Sequence, residues 1–260
     1  MDDILVTAKE AARLAGDCLM KMRGKAAISQ KGMTQNLVTE ADLAAEKLIT
    51  DLIHARFPDH KLLLEEGQST GGAEAEHLWI VDPLDATNNF AHNIPHFSVS
   101  IAYARAGEVQ VGVITDPTRD ELFHAVKGHG ACLNDQPIRV TAADRLEECI
   151  VGTGFYYDRG AMMKRTLDSI HTLFSRNVRG IRRMGSAAID IAWVACGRFD
   201  GFFEYRLEPW DYSAGMLLVS EAGGRCTDRA GAPLRIDSRS VIVSNGHVHG
   251  LIEDAVRWIE

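Results

Sequence analysis

Cysteine is scarce in this 260-residue chain: Cys18, Cys132, Cys149, Cys196 and Cys226, an odd and scattered set with no CxxC pair. That excludes a disulfide framework and a thiolate zinc site, and reads as reduced, mostly buried thiols. Lys/Arg runs are lacking too. Lys and Arg number 28 against 36 Asp and Glu, a formal net charge of −8, so neither nucleic acid nor an anionic membrane is expected as a main partner. No apolar run is long enough to span a bilayer. Asp2, Asp3, Lys9 and Glu10 interrupt the start of the chain, which does not read as a signal peptide. These absences lead us to expect a cytoplasmic protein.

Several catalytic motifs are missing as well. There is no P-loop, G-x-S-x-G or H-E-x-x-H, and Gly128-His129-Gly130 lacks the third glycine of a dinucleotide fingerprint. His92 and His96 stand at i,i+4, but Pro95 between them argues against one helical face; both are read as bystanders. Asp82-x-x-Asp85 does not match the Asp-x-Asp of phosphatases that form an aspartyl-phosphate.

What remains is an ordinary globular composition, 46% hydrophobic and 25% charged, with enough chain for a sizeable core. Helical periodicity marks residues 3–22, a helix capped by Thr39, residues 161–174, residues 186–196, a helix opening at Trp210-Asp211 with Gly223-Gly224 at its C-cap, and a closing helix over 248–259. Strands are read at 61–64, 97–104, 109–114, 121–126, 149–152, 199–205 and 241–243. Lys31-Gly32 opens a polar loop. The chain reads as one domain over 1–260, an N-terminal half to about 145 with a mostly antiparallel meander and a C-terminal half from about 146 with alternating helices and strands. Layered α/β packing follows.

The chain is organised around residues 79–90, WIVDPLDATNNF. Trp79-Ile80-Val81 is a short apolar strand, and Pro83 is not expected to continue a central one. Asp82 and Asp85 lie three apart across that proline. Hard cations take such carboxylate oxygens, although the local sequence alone favours a pair of turn-forming aspartates. A helix starting near Ala86-Thr87 would offer N–H groups to an anion, with simple capping by Asp85 or Thr87 as the default. Three further acids recur at element boundaries: Asp42 and Asp211 at helix starts, and Glu65 at a strand end. Asp42 on its own suits a capping box. Several carboxylates at strand–helix junctions of an α/β protein suggest one shared site, and charges so close cannot all ionise without a metal between them.

With these stretches in view, the sequence resembles the inositol monophosphatase family of metal-dependent, lithium-sensitive phosphatases. The family's W-x-V/I-D-P-L/I-D-G-T-x-N-F is met by WIVDPLDATNNF. Its W-D-x-x-A-x-x-x-x-x-x-E-A-G-G is met by Trp210-Asp211, Ala214 and Glu221-Ala222-Gly223-Gly224. Val38, Thr39 and Asp42 match V-T-x-x-D, and Glu65-Glu66 matches the G-E-E element. The resemblance implies an α/β (α+β) fold, a layered αβαβα sandwich of the inositol monophosphatase/fructose bisphosphatase type, and a homodimer. It implies two to three Mg²⁺ ions: one on Glu65, Asp82 and the carbonyl of Leu84, a second on Asp82, Asp85 and Asp211, and a looser third on Glu65 and water. The backbone N–H groups of Ala86 and Thr87 would hold the phosphate. Thr87, bonded to Asp42, would act with Glu65 to orient the attacking water. Asp85, Gly185, Ser186, Ala187 and Glu204 would contact the alcohol part of the substrate.

The implied activity is Mg²⁺-dependent hydrolysis of a small phosphorylated polyol, foremost an inositol monophosphate. Two ions roughly 3.5–4 Å apart clamp attacking and leaving oxygens, the attack is in line without a covalent intermediate, and a second water gives the leaving alkoxide its proton. The alternatives are a same-fold phosphatase for fructose 1,6-bisphosphate, histidinol phosphate or another sugar phosphate, and a regulatory or scaffold protein without turnover. Three departures stand out. Ala86 replaces the family's glycine and costs on the order of 1–2 kcal/mol if the position needs φ > 0. Asn93 replaces a frequent glycine, which asparagine tolerates. Leu64 precedes Glu65 in place of glycine.

Overall fold

The computed structural model describes residues 1–26, 28–30 and 37–257. The expected loop at Lys31-Gly32 and the last residues of the closing helix lie outside them. Helix α1 (Asp2–Met22) buries Ile4, Ala8, Ala11, Ala12, Ala15 and Leu19 along one stripe. A two-stranded hairpin, β1 (Ile28–Gln30) with β2 (Leu37–Thr39), leads into α2 (Glu40–Arg56), which buries Ala41, Ala45, Ile49 and Ile53. Alanine at the facing positions lets the two helices lie close to each other and to the sheet below.

That sheet has seven strands in chain order: β3 (Lys61–Leu64), β4 (His77–Asp85), β5 (Ser98–Arg105), β6 (Glu108–Asp116), β7 (Glu121–Val126), β8 (Ala131–Leu133) and β9 (Gln136–Ile138). β3 runs parallel to β4, and every later pairing is antiparallel. The short helix α3 (Thr87–Ala91) follows β4. Next come β10 (Ile150–Thr153), α4 (Ala161–Ser175), β11 (Gly180–Arg182), α5 (Ala187–Ala195), β12 (Gly201–Glu204), α6 (Pro209–Glu221), β13 (Arg225–Thr227), β14 (Val241–Ser244) and α7 (His249–Val256). These strands form a second sheet in the order β11-β10-β12-β14-β13.

The layers stack as αβαβα. α1 and α2 cover one face of the seven-stranded sheet, α5 and α6 fill the space between the sheets, and α4 and α7 cover the far face of the second sheet. β5 shows how the sequence encodes this. Val99, Ile101 and Tyr103, with Phe97 just ahead of the strand, face the outer core, while Ala102 and Ala104 face α5 and α6. Small residues on the inner side let the middle helices approach. Gly112 on β6 is the limiting case: a Cβ there would lie 2.7 Å from the Ala214 carbonyl oxygen of α6.

Three expectations are corrected. Pro83 does not end β4, which runs on to Asp85. Its missing N–H costs nothing because β3 pairs only as far as Val81, and the β4–β5 register slips between Asp82 and Asp85, so the proline occupies a bulge. The cysteines are free as expected, but only Cys149 is buried and the other four are half-buried. The three-residue strands β8, β9, β11 and β13 went unread because so short a segment carries no periodicity. No described helix is long and apolar enough to cross a membrane.

His249, fully buried at the start of α7, meets the Thr227 hydroxyl through Nε2 and the Ser244 hydroxyl through Nδ1, both at 2.9 Å. Burial first, then the charge of Arg225, pushes its pKa from 6.5 down to about 4. The unfolded chain therefore takes up a proton that the fold refuses, and stability falls as pH drops from about 6.5 to about 4. In urea unfolding, His249→Gln is expected to be less stable than the parent at pH 7 but to lose less between pH 7 and 4.5. Parallel pH profiles would contradict this.

Candidate active site

The side-chain parity of β4 aims the first carboxylate inward. Trp79 and Val81 join the outer core and Leu78 and Ile80 the middle one, so Asp82 faces the middle layer. A regular strand would send Leu84 there too and turn Asp85 away. The bulge inverts the alternation: Leu84 packs in the outer core and Asp85 joins Asp82 on the inner side. The Ser100 hydroxyl donates to the Trp210 carbonyl at 3.1 Å, tying β5 to the first turn of α6 and bringing Asp211 to the same place. Glu65, in the turn after β3, completes the set. Its N–H donates to the Val81 carbonyl, and the neighbouring Glu66 N–H donates to the buried Glu46 at 3.0 Å.

A cavity of about 580 Å³ opens over these groups. Every site residue named from the sequence lines it except Asp42: Glu65, Asp82, Leu84, Asp85, Ala86, Thr87, Gly185, Ser186, Ala187, Glu204 and Asp211. Asp42 lies directly behind. One of its oxygens closes the capping box of α2, accepting from the Thr39 N–H at 2.8 Å, while the other accepts from the Thr87 hydroxyl at 3.0 Å. The capping role holds, and the second oxygen ties Asp42 to Thr87 in the cavity lining. Asp211 divides its duties similarly, with Oδ2 accepting from the Glu208 N–H at 2.7 Å. Asp85 is braced by the Ser186 hydroxyl at 2.5 Å and the Ala188 N–H at 2.8 Å, both on Oδ2. Neither Asp85 nor Thr87 caps α3 with its side chain.

The charges are mutually hostile. Burial, then the charges of Glu65, Asp85 and Asp211, and a hydrogen bond shared with Glu65 hold Asp82 far above the carboxylate range. Burial, Glu65 and Asp85 do the same to Asp211. Asp85 is raised by burial, which its Ser186 and Ala188 bonds oppose. Glu204 is pushed up to about 8, chiefly by burial and against the pull of Arg183. This donor set fits hard divalent cations: all oxygen, buried, and short of positive charge. Among the described residues no three His, Cys, Asp or Glu side chains enclose an ion by themselves. The set therefore suits a cation that keeps waters or takes carbonyl and phosphate oxygens to complete its shell, as Mg²⁺ does.

Other residues were missed or misjudged. His96 is no bystander: it is 2% exposed, lies 3.4 Å from the buried Asp190, and its charge lowers Asp85. Burial pushes Asp190 up to about 6 against the pull of His96. A lone acid in the otherwise apolar run AAIDIAWVA was the available signal. The His92 ring bonds to the Asn88 carbonyl of its own turn. The aromatic pair Tyr156-Tyr157, with Arg183, Arg206 and Trp210, lines the outer cavity wall. Gly154 lies under Glu204: a Cβ there would come within 1.8 Å of Oε2, so a larger residue would displace the carboxylate from its present position.

Ala86 adopts the left-handed conformation, φ 77° and ψ 49°, and Asn93 has φ 58°. For alanine this costs on the order of 1–2 kcal/mol, offset in part by the greater unfolded-state entropy of a glycine in its place. Ala86→Gly is expected to stabilise the fold by about 0.5–1 kcal/mol in urea unfolding. A loss of stability would show that the alanine methyl makes a compensating contact.

Comparison with known proteins adds the following. The model of the inositol monophosphatase family matches residues 1–259. The inositol-1-monophosphatase of Rhizobium meliloti is 40% identical over 245 residues, covering 90% of this chain and 91% of the relative. The Nus factor SuhB of Escherichia coli is 40% identical over 251 residues, covering 95% and 93%. The crystal structure of extragenic suppressor protein suhB from Bartonella henselae superposes with a TM-score of 0.92 at 40% identity, covering 98% of each chain.

Proposed function

The chain belongs to the inositol monophosphatase family, and from that premise we propose that it is a Mg²⁺-dependent phosphate monoester hydrolase acting on a small phosphorylated polyol, foremost an inositol monophosphate. One observation carries the reading: Glu65, Asp82, Asp85 and Asp211 are gathered in the lining of a 580 Å³ cavity, with all three aspartates held above their usual range by burial, and Asp82 and Asp211 also by the other acids.

In this reading Glu65, Asp82 and the Leu84 carbonyl hold one ion, and Asp82, Asp85 and Asp211 hold another, with a looser third on Glu65 and water. Bound Mg²⁺ supplies positive charge to the phosphate and a more acidic water. The residues do the rest. The opening turn of α3 has N–H groups without an intrahelical acceptor, and those of Ala86 and Thr87 receive the phosphate oxygens. Asp42 fixes the Thr87 hydroxyl, which together with Glu65 orients the attacking water. Asp85, Gly185, Ser186, Ala187 and Glu204 form the wall for the alcohol. Glu204, with its raised pKa of about 8, carries a proton near neutrality and can donate to a substrate hydroxyl as well as accept from one. We further propose lithium sensitivity and a homodimer.

A second reading, a regulatory protein that has kept the fold without turnover, draws on two observations. Ala86 strains the turn that receives the phosphate, and a 40% identical relative carries the name Nus factor. Phosphate release from a panel of inositol, fructose and histidinol phosphates, with and without Mg²⁺, separates the two. We expect Mg²⁺-dependent release, and its loss by a factor of at least about 10³ in Asp82→Asn and Asp211→Asn, with the circular dichroism unchanged. Turnover retained in both variants would overturn the metal assignment. A parent chain that is inactive on every substrate and binds no Mg²⁺ by calorimetry would favour the regulatory reading.

A further inference from the structure

Most donors in the cavity wall are already committed. The Thr87 hydroxyl gives its proton to Asp42 or the Leu84 carbonyl, Ser186 gives its proton to Asp85, and Asn89 serves two carbonyls. The phenol of Tyr157 is different. It lines the cavity half-buried, and among the described residues no acceptor takes its O–H. Glu65, Asp85, Asp211 and Glu204 line the same cavity, so the phenol shares that space with both the acidic end and the alcohol wall. A phenol ordinarily loses its proton only at about pH 10, so that of Tyr157 stays protonated at neutral pH and acts as a donor.

The backbone around it is fixed. Asp158 accepts from the Gly160 and Met162 N–H groups at 2.9 and 3.1 Å, and Arg159 donates to the Tyr156 carbonyl at 3.1 Å. Arg206 stacks 4.7 Å over Tyr156, whose ring lies 5.6 Å from that of Tyr157. The segment also leaves the carboxyl end of β10, parallel to β12, which ends at Glu204. Ligands of α/β sheets bind at such strand ends.

We propose that Tyr157 is a catalytic residue whose hydroxyl donates a hydrogen bond to the ester oxygen of the bound phosphate monoester, on the alcohol side of the scissile bond. The assignment rests on the phosphatase reading above. Water oxygen bonds to phosphorus, the P–O(alcohol) bond breaks, and the departing oxygen takes its proton from water. Tyr157 keeps its own proton, and its hydrogen bond strengthens as negative charge grows on that oxygen. Such help matters for an alkoxide and hardly at all for a phenolate that leaves readily.

The test compares Tyr157→Phe with the parent on myo-inositol 1-phosphate and on 4-nitrophenyl phosphate, both with Mg²⁺. The variant is expected to lose about 10- to 100-fold in kcat on the inositol ester and less than about threefold on the nitrophenyl ester. Its thermal midpoint and its calorimetric affinity for Mg²⁺ are expected to match the parent. Equal losses on the two esters, or no loss on either, would overturn the role of Tyr157 alone and leave the phosphatase reading intact. A shifted Mg²⁺ affinity would assign Tyr157 to the metal end and overturn the proposal. A parent inactive on both esters would overturn the phosphatase reading and this proposal with it.

Discussion

The structure depends on an electrostatic conflict. Asp82 and Asp85 are buried beside the half-buried Asp211, with Glu65 at the turn above, and no arrangement of the chain alone satisfies all four as anions. Basic side chains act only at the margins, His96 on Asp85 and Arg183 on Glu204. A scaffold that tolerates this arrangement must hold the acids rigidly, and each is held through the backbone. A β-bulge at Pro83 places Asp85, a capping box places Asp211, and the N–H groups of Leu84 and Ala188 anchor Asp82 and Asp85.

That economy explains why capping residues double as site residues. Asp42 closes one capping box with one oxygen and accepts from Thr87 with the other, and Asp211 closes a second box from its place in the cavity lining. Removing the side-chain acceptor at either position, as alanine would, loosens a helix end, whereas asparagine keeps an oxygen for the cap. Ala86 is the reverse case. Its positive φ strains the turn that presents the opening N–H groups of α3, and the surrounding packing keeps it there.

Much of this was legible in the sequence. Helical periodicity located α1, α2, α4, α5 and α6 to within a few residues, because each buries one apolar stripe or is apolar throughout. Eleven of the cavity-lining residues, from Glu65 to Asp211, were named before the structure, through the family's motifs and aligned positions rather than through local chemistry. Local chemistry taken alone favoured turns for Asp82 and Asp85. Three kinds of feature stayed hidden. Strands of three residues have no period to detect. Pro83 read as a stop because strand rules presume a ladder on both sides, and a bulge removes that demand. His96 and Tyr157 are defined by neighbours far along the chain, Asp190 and the four acids, which spacing along the sequence cannot convey.

If the buried carboxylates are held apart from water in order to meet cations, then cations must stabilise the fold itself, whatever the substrate. The direct measurement is the thermal unfolding midpoint across a MgCl₂ titration at constant ionic strength, with NaCl as the control. The account predicts a midpoint that climbs with the logarithm of Mg²⁺ concentration once the site begins to fill. A midpoint that stays flat up to tens of millimolar Mg²⁺, indistinguishable from NaCl, would contradict it.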